Sequence, residues 1–336
     1  MSIRLRSLLW LTVAAGLAGC AGSEGTSAEA GAAASPALSV AESDLQRALS
    51  CNTELTLSRR SPILMVPGTT LEPQANFAWN WLPALEALGW PHCTIELPAN
   101  AMGDIQIAAE YVVYAVREMA AASGQKVQIV GHSQGGMVPR WALRFWPDIR
   151  EQVEDLVGLS ASHHGTVLSG GICLVGCAPA IRQQGQDSAF MAALNRDFEI
   201  VPGVDYTSVY TNLDQVVVPN VTLLGASSAL VGDRAQLSNI ATQDICPLNV
   251  AEHLTIGTSD AVAYAVAMDA LMHEGPADAA RIDRAVCASL LMPGVNPVTF
   301  ATDFAAMSIV VATTLATAPR SFEEPALKCY VDASCP

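Results

Sequence analysis

Cationic side chains are scarce. Lys and Arg number 17 against 32 Asp and Glu in 336 residues, a formal net charge of −15. Without a cationic surplus the chain has nothing to displace counterions from phosphates, which argues against nucleic-acid binding, and no charge attraction to an anionic membrane face. Charged residues of both signs together reach only 15%, whereas 51% are hydrophobic. That balance excludes disorder over most of the chain and supplies a sizeable core. Beyond the first 19 residues no run reads as a membrane span. The best candidate, residues 304–318, is broken by Ser308, Thr313 and Thr314 and falls short of the ~20 apolar residues a spanning helix needs. There is no internal repeat, and no linker divides residues 50–336.

The amino terminus carries Arg4 and Arg6, an apolar stretch over residues 8–17 and then Leu17-Ala18-Gly19-Cys20. Charge, apolar core and small residues arrive in the order of an export signal, and the last four resemble a bacterial lipoprotein lipobox. The expectation is a signal peptide over residues 1–19, acylation of Cys20, and a tether over residues 20–48 whose Ala, Gly and Ser suit flexibility. The remaining domain, residues 49–336, would be exported and lipid-anchored to the bacterial cell envelope (outer membrane or surface), or released from it. An ordinary signal peptide that happens to carry a cysteine is the alternative. Eight further cysteines remain, an even number that in an exported chain implies disulfides. Sequence does not choose among the connectivities. The simplest hypothesis pairs neighbours: Cys51–Cys93, Cys173–Cys177, Cys246–Cys287 and Cys329–Cys335. A metal site joining Cys173 and Cys177 to His163 and His164 is the competing reading, disfavoured by the oxidising route; no metal is expected.

Short apolar runs at residues 61–66, 93–97, 126–130 and 153–159 predict strands, with weaker ones at 206–210 and 221–224. Helical patterns fall at 81–88, 104–122, 135–145, 261–271 and 277–290. Strands alternating with helices predict an α/β fold, a mostly parallel sheet with helices on both faces.

The third strand runs directly into Gly131-His132-Ser133-Gln134-Gly135-Gly136 and then a helix. Strand, G-x-S-x-G and helix in that order form a nucleophile elbow, whose tight turn lifts a serine hydroxyl clear of the sheet. A structural glycine turn with a buried serine is the bland alternative. A serine needs a base held by an acid, and in this fold they follow in the order Ser, acid, His. His92 precedes Ser133; His132 adjoins it; His163 and His164 come before any later acid; His273 ends a helix. His253, in a loop before a helix, is the best candidate base. Asp214, just past the strand at 206–210, is the best candidate acid, with Asp205, Asp233 and Asp244 as rivals suited to turns and caps.

Val66-Pro67-Gly68-Thr69, Asn80-Trp81, Ser133-Gln134-Gly135-Gly136, Gly165-Thr166-Val167-Leu168, Asp214-Gln215-Val216-Val217 and His253 recur in order over nearly the whole domain. In them the chain resembles the Candida antarctica lipase B-like family of α/β-hydrolases and its bacterial members. The resemblance implies a carboxylic-ester hydrolase that needs no cofactor, with Ser133, Asp214 and His253 as its triad. It implies an oxyanion hole from Thr69 and Gln134, an acyl pocket touched by Val216 and Val217, and an apolar helix at 304–318 bordering the mouth. It also supports the 51–93 and 246–287 disulfides. Three departures stand out. His132 occupies a position where the yeast enzyme has a tryptophan shaping the alcohol pocket, so it is assigned to the substrate pocket without the stereochemical preference. The Cys173/Cys177 pair is added, and Ser162-His163-His164 replaces an acidic residue near the site. The substrate expected is an acylglycerol or another medium- or long-chain ester, acted on by a monomer. A short-chain carboxylesterase and a non-catalytic surface lipoprotein are the competing readings.

Overall fold

Ile63-Leu64-Met65-Val66 has no polar side chain, and all four residues are fully buried in the computed structural model, which describes residues 35–57, 59–332 and 334. Such a run can be shielded on both faces only inside a parallel sheet covered by helices. Nine strands are present among the described residues: β1 (Leu49–Cys51), β2 (Ile63–Val66), β3 (His92–Ile95), β4 (Val127–His132), β5 (Val153–Leu159), β6 (Asp205–Tyr210), β7 (Asn220–Val221), β8 (Gly225–Ala226) and β9 (Leu237–Ala241). Seven form one sheet in the order β1–β3–β2–β4–β5–β6–β9. Only β1 is antiparallel to its neighbour.

Side chains alternate across this sheet, as the pleat requires. Leu64, Val66, Val127 and Ile129 face one core, packed by the helices Ile105–Ser123 and Gln134–Phe145; Ile63, Met65, Val130 and Val157 face the other, packed by Trp81–Ala87 and Ala261–Met272. The helix Ile105–Ser123 starts where Asp104 accepts the N–H of Gln106 and stops at Gly124, which takes the left-handed conformation. The architecture is the α/β sheet expected from the alternation of elements.

Several expectations need correction. Of the weak strand at 221–224 only Val221 is extended: β7 pairs with β8 across a single 3₁₀ turn, Thr222–Leu224. The sixth parallel strand is instead β9, whose Leu-Ser-Asn-Ile-Ala mixes polar residues into the run and hides it from an apolar-run search. The helix expected at 277–290 is a series of turns with one 3₁₀ segment, Arg284–Ala288. There Ala277 N–H is drawn to Thr207 Oγ1, and Arg281 and the Asp278 N–H are drawn to Asp269, so the backbone is held by tertiary partners rather than by its own ladder. The tether does not extend to residue 48: the helix Glu42–Ala48 buries Leu45 and Ala48, three apart on one face, and Glu110 accepts the Ser39 hydroxyl (2.7 Å) and the Val40 N–H (3.0 Å). The leader and Cys20 lie outside the described residues.

The apolar segment near the carboxyl end is longer than the broken run suggested. It is an 18-residue helix, Phe300–Thr317, long and apolar enough by length and composition to cross a membrane, with only 6% of that window buried. Disulfides join Cys51–Cys93, Cys173–Cys177 and Cys246–Cys287. The Cys329–Cys335 expectation reaches outside the described residues. With Cys173 and Cys177 bonded to each other, the metal reading loses two of its four ligands.

Candidate active site

β4, β5 and β6 are parallel and end side by side at His132, Leu159 and Tyr210, so the loops that follow them converge on one edge. Ser133 comes first, at φ 55° and ψ −123°, a backbone conformation that L-residues rarely hold. Its neighbours explain how the turn is possible. A Cβ at Gly131 would lie 2.1 Å from Gly135 O, and one at Gly135 would lie 2.2 Å from Val66 O. Only glycine fits either place. The helix Gln134–Phe145 begins at the next residue, so its amino-terminal N–H groups and dipole face the space beside the Ser133 hydroxyl.

His253 Nε2 lies 3.0 Å from Ser133 Oγ, and His253 Nδ1 lies 2.9 Å from Asp214 Oδ2. A carboxylate can only accept, so Nδ1 carries the proton and Nε2 presents a lone pair to the serine. His253 opens a short helix, His253–Thr258, capped by Glu252, whose side chain accepts the N–H groups of Leu254 and Thr255. Asp214 is equally well held. Its Oδ1 accepts Val216 N–H (2.9 Å) and Val217 N–H (2.8 Å), and its Oδ2 also accepts Asn220 Nδ2 (3.1 Å). Burial pushes this carboxyl up, but the His253 imidazole and the two backbone N–H groups outweigh burial and hold it below its ordinary value.

The rival acids and bases lie elsewhere. Asp205 starts β6 at the far end of the strand, Asp233 accepts Ala235 N–H in a turn, and Asp244 accepts Ala241 N–H at a helix start. His92 is buried on β3; His164 meets Glu199 at 2.9 Å; His273 sits against Asp269. His163 is fully enclosed, and burial drives its imidazole well below the ordinary value.

Thr69 and Gln134 meet on the other side of the serine. Thr69 Oγ1 donates to Gln134 Oε1 (2.9 Å) and accepts from Gln184 Nε2 (3.0 Å); Gln184 Oε1 in turn accepts the Ser162 hydroxyl (2.8 Å). Gln184 carries no motif and went unnoticed in the sequence; only its partners reveal it. The space above these residues is a cavity of about 270 Å³. Its walls are largely apolar and include Leu168, Ile172, Ile181, Val217, Val311 and Leu315. Val216 and Val217 thus both border the cavity and donate to Asp214. Val311 and Leu315 come from the helix Phe300–Thr317, which borders the mouth. His132 adjoins the cavity too, but it is only 1% exposed.

A model of the PGAP1-like alpha/beta domain matches residues 95–199. Over 239 residues the chain is 34% identical to lipase B of Pseudozyma antarctica, an alignment that covers 70% of this chain and 69% of that protein. The chain belongs to the lipase B family. The crystal structure of Aspergillus fumigatus lipase B superposes with a TM-score of 0.82 at 30% identity, covering 89% of this chain and 74% of that one. Bacillus licheniformis lipase BlEst2 in its propeptide form shares the fold at a TM-score of 0.51 and 18% identity, over 68% and 54% of the two chains. The fold is that of the α/β-hydrolases, and family membership makes the chain a carboxylic-ester hydrolase.

Proposed function

We propose that this carboxylic-ester hydrolase is a lipase that cleaves medium- or long-chain acyl esters, acylglycerols among them, by two-step acyl transfer through Ser133, His253 and Asp214. The observation that carries the reading is the unbroken hydrogen-bonded line from Ser133 Oγ through both nitrogens of His253 to Asp214. As Ser133 attacks the ester carbonyl, His253 Nε2 takes its proton. Asp214 keeps the imidazole in the required tautomer and stabilises it when it becomes cationic. The developing oxyanion is received by the backbone N–H groups of Thr69 and Gln134, and by the Thr69 hydroxyl once its one proton turns from Gln134 Oε1 to the substrate. His253 then returns the proton to the departing alcohol, and water repeats the sequence to release the acid.

The long-chain preference rests on the apolar walls of the cavity and on the helix at its mouth, where Ile309 is 65% and Leu315 44% exposed. No Lys, Arg, Asp or Glu occurs at residues 304–319 or 161–181, in a chain of net charge −15. An uncharged rim suits a lipid–water interface, because no ionised group must lose its hydration there. The three disulfides among the described residues favour an exported enzyme. Acylation of Cys20 would hold it at the envelope, since buried acyl methylenes contribute about 0.8 kcal/mol each to membrane affinity.

Hydrolysis of an ester series of rising acyl length, by wild type and Ser133→Ala, tests the proposal. Wild type is expected to favour chains of medium length or longer and to accelerate as substrate passes its solubility limit. Ser133→Ala is expected to lose turnover. A rate that levels off at the solubility limit, with best activity on the shortest esters, identifies a short-chain carboxylesterase instead. An alanine variant as active as its parent removes the mechanism.

A further inference from the structure

His132 stands between the nucleophile and the base. It directly precedes Ser133, and its ring is packed beside the ring of His253, centroids 5.3 Å apart. Its Nε2 lies 3.1 Å from the backbone oxygen of His253, 121 positions along the chain, and its Nδ1 lies 3.3 Å from Asn76 Oδ1. That same Asn76 oxygen accepts the Gly68 N–H (3.0 Å), one residue before Thr69. On the far side the ring rests on Gly257, in the helix that His253 begins. A Cβ there would come within 2.1 Å of His132 Cδ2.

We propose that His132 is a positioning residue for ester hydrolysis: it donates from Nε2 to the His253 carbonyl and so holds the base in register with Ser133, rather than shaping the alcohol pocket. The proposal rests on the triad reading above. A carbonyl has no proton to give, so the contact requires the proton on Nε2. Burial, with the neighbouring His253 adding to it, lowers the His132 imidazole to about 3, so it stays neutral and carries a single proton over the working range. That proton goes to the shorter contact. Through it the elbow residue grips the backbone of the base, while the unprotonated Nδ1 faces Asn76 Oδ1, itself an acceptor for Gly68 N–H, without a hydrogen bond. A neutral ring does this without placing a second cation beside an imidazole that must itself become cationic. With 1% exposure it offers a substrate little surface.

His132→Gln and His132→Met test this, since the two side chains are similar in length and only Gln keeps an N–H donor. His132→Met is expected to lower kcat about tenfold, a modest misplacement on the scale by which ~1 Å costs ~10²-fold, with KM changed less than about twofold. His132→Gln is expected to keep kcat within about threefold of wild type. Both losses should be the same for two esters of one acid, one with a small and one with a bulky alcohol. Equal losses in the two variants, or a loss confined to the bulky alcohol, overturn the proposal. A measurement on the wild type does not depend on either variant folding. The ¹⁵N shifts of His132, assigned by their absence from the His132→Gln or His132→Met spectrum or by sequential correlation, should report the Nε2–H tautomer without titration from about pH 5 to 9. An Nδ1–H tautomer, or a titration in that window, overturns it as well. If Ser133→Ala abolishes turnover while any of these outcomes fails, the triad reading stands and only the role of His132 falls.

Discussion

Replacing Asp214 by Asn leaves one acceptor oxygen where the site uses two. Val216 N–H and Val217 N–H, at 2.9 and 2.8 Å, both point at Oδ1. Placing the new amide group there would set an NH₂ against two N–H donors, whereas placing it at the Oδ2 position sets it against Asn220 Nδ2 and His253 Nδ1. The first arrangement strands two donors, at about 1–3 kcal/mol each, so the oxygen takes the Oδ1 position. The imidazole then finds a donor where its own Nδ1–H pointed, and it answers by moving its proton to Nε2. That proton faces Ser133 Oγ at 3.0 Å, and the lone pair that should deprotonate the serine is gone. A wrong tautomer of this kind lowers kcat by about 10⁴ in serine hydrolases. At 1.36 kcal/mol per decade that is ~5.4 kcal/mol of transition-state stabilisation. Initial rates on a soluble chromogenic ester measure it, with a thermal melt to show that the variant is folded. Labelling of Ser133 by an organophosphonate should slow in parallel, because it needs the same proton transfer. A folded Asp214→Asn variant that loses less than about tenfold refutes the assignment of the tautomer to Asp214.

Two further predictions concern stability. Asp155 on β5 is 2% exposed, and burial raises its carboxyl to about 8 even though Gln128 Nε2 donates to it at 2.9 Å. The folded protein therefore keeps a proton that the unfolded chain releases above about pH 4, and the contribution of Asp155 to stability falls as pH rises from about 4 to 8. Asp155→Asn, which cannot ionise, should melt increasingly above wild type between pH 5 and 9, by on the order of a few kcal/mol at the alkaline end; a gap independent of pH refutes the linkage. Cys51–Cys93 and Cys246–Cys287 close loops of separation 42 and 41, against 4 for Cys173–Cys177. Loop-closure entropy predicts that paired alanine replacements cost about 4 kcal/mol for either long loop and about 2 for the short one, measured by urea unfolding; the reverse order excludes chain entropy as the main effect.

Much of the architecture was legible because its signals are local. Ile63–Val66 can only be a buried strand, and Gly131 and Gly135 mark a turn that no side chain tolerates, so the serine, its strand and its helix were found together. Chain order and local setting then singled out His253 among six histidines and favoured Asp214 over three rival acids. β9 escaped because Ser238 and Asn239 sit in a strand whose neighbour, β6, supplies the pairing; nothing inside the five residues declares it. The turns at 277–290 read as a helix for the opposite reason: Ala and Val favour helix locally, while Asp269 and Thr207, distant in sequence, decide the backbone.

The same distinction separates the residues proposed to react from those that hold them. Ser133, His253 and Asp214 belong to types that chemistry singles out, and each lies at a topologically expected place. Gln184, Asn76 and Thr166 are common neutral residues whose importance lies wholly in what they touch. Thr166 shows the consequence. Its hydroxyl donates to Val216 O (2.7 Å) and accepts Val218 N–H (3.2 Å), so the loop after β5 steadies the segment whose N–H groups hold Asp214. On the opposite side, Gln184 joins Ser162, at the start of that loop, to Thr69 and Gln134. One loop, residues 160–166, thus braces both Asp214, the proposed acid, and Thr69 and Gln134, the proposed oxyanion donors. A substitution in it should disturb both halves of the reaction although it contains no reacting group. A change at Ser162-His163-His164 would therefore be a change in support, felt through Gln184 on one side and Thr166 on the other.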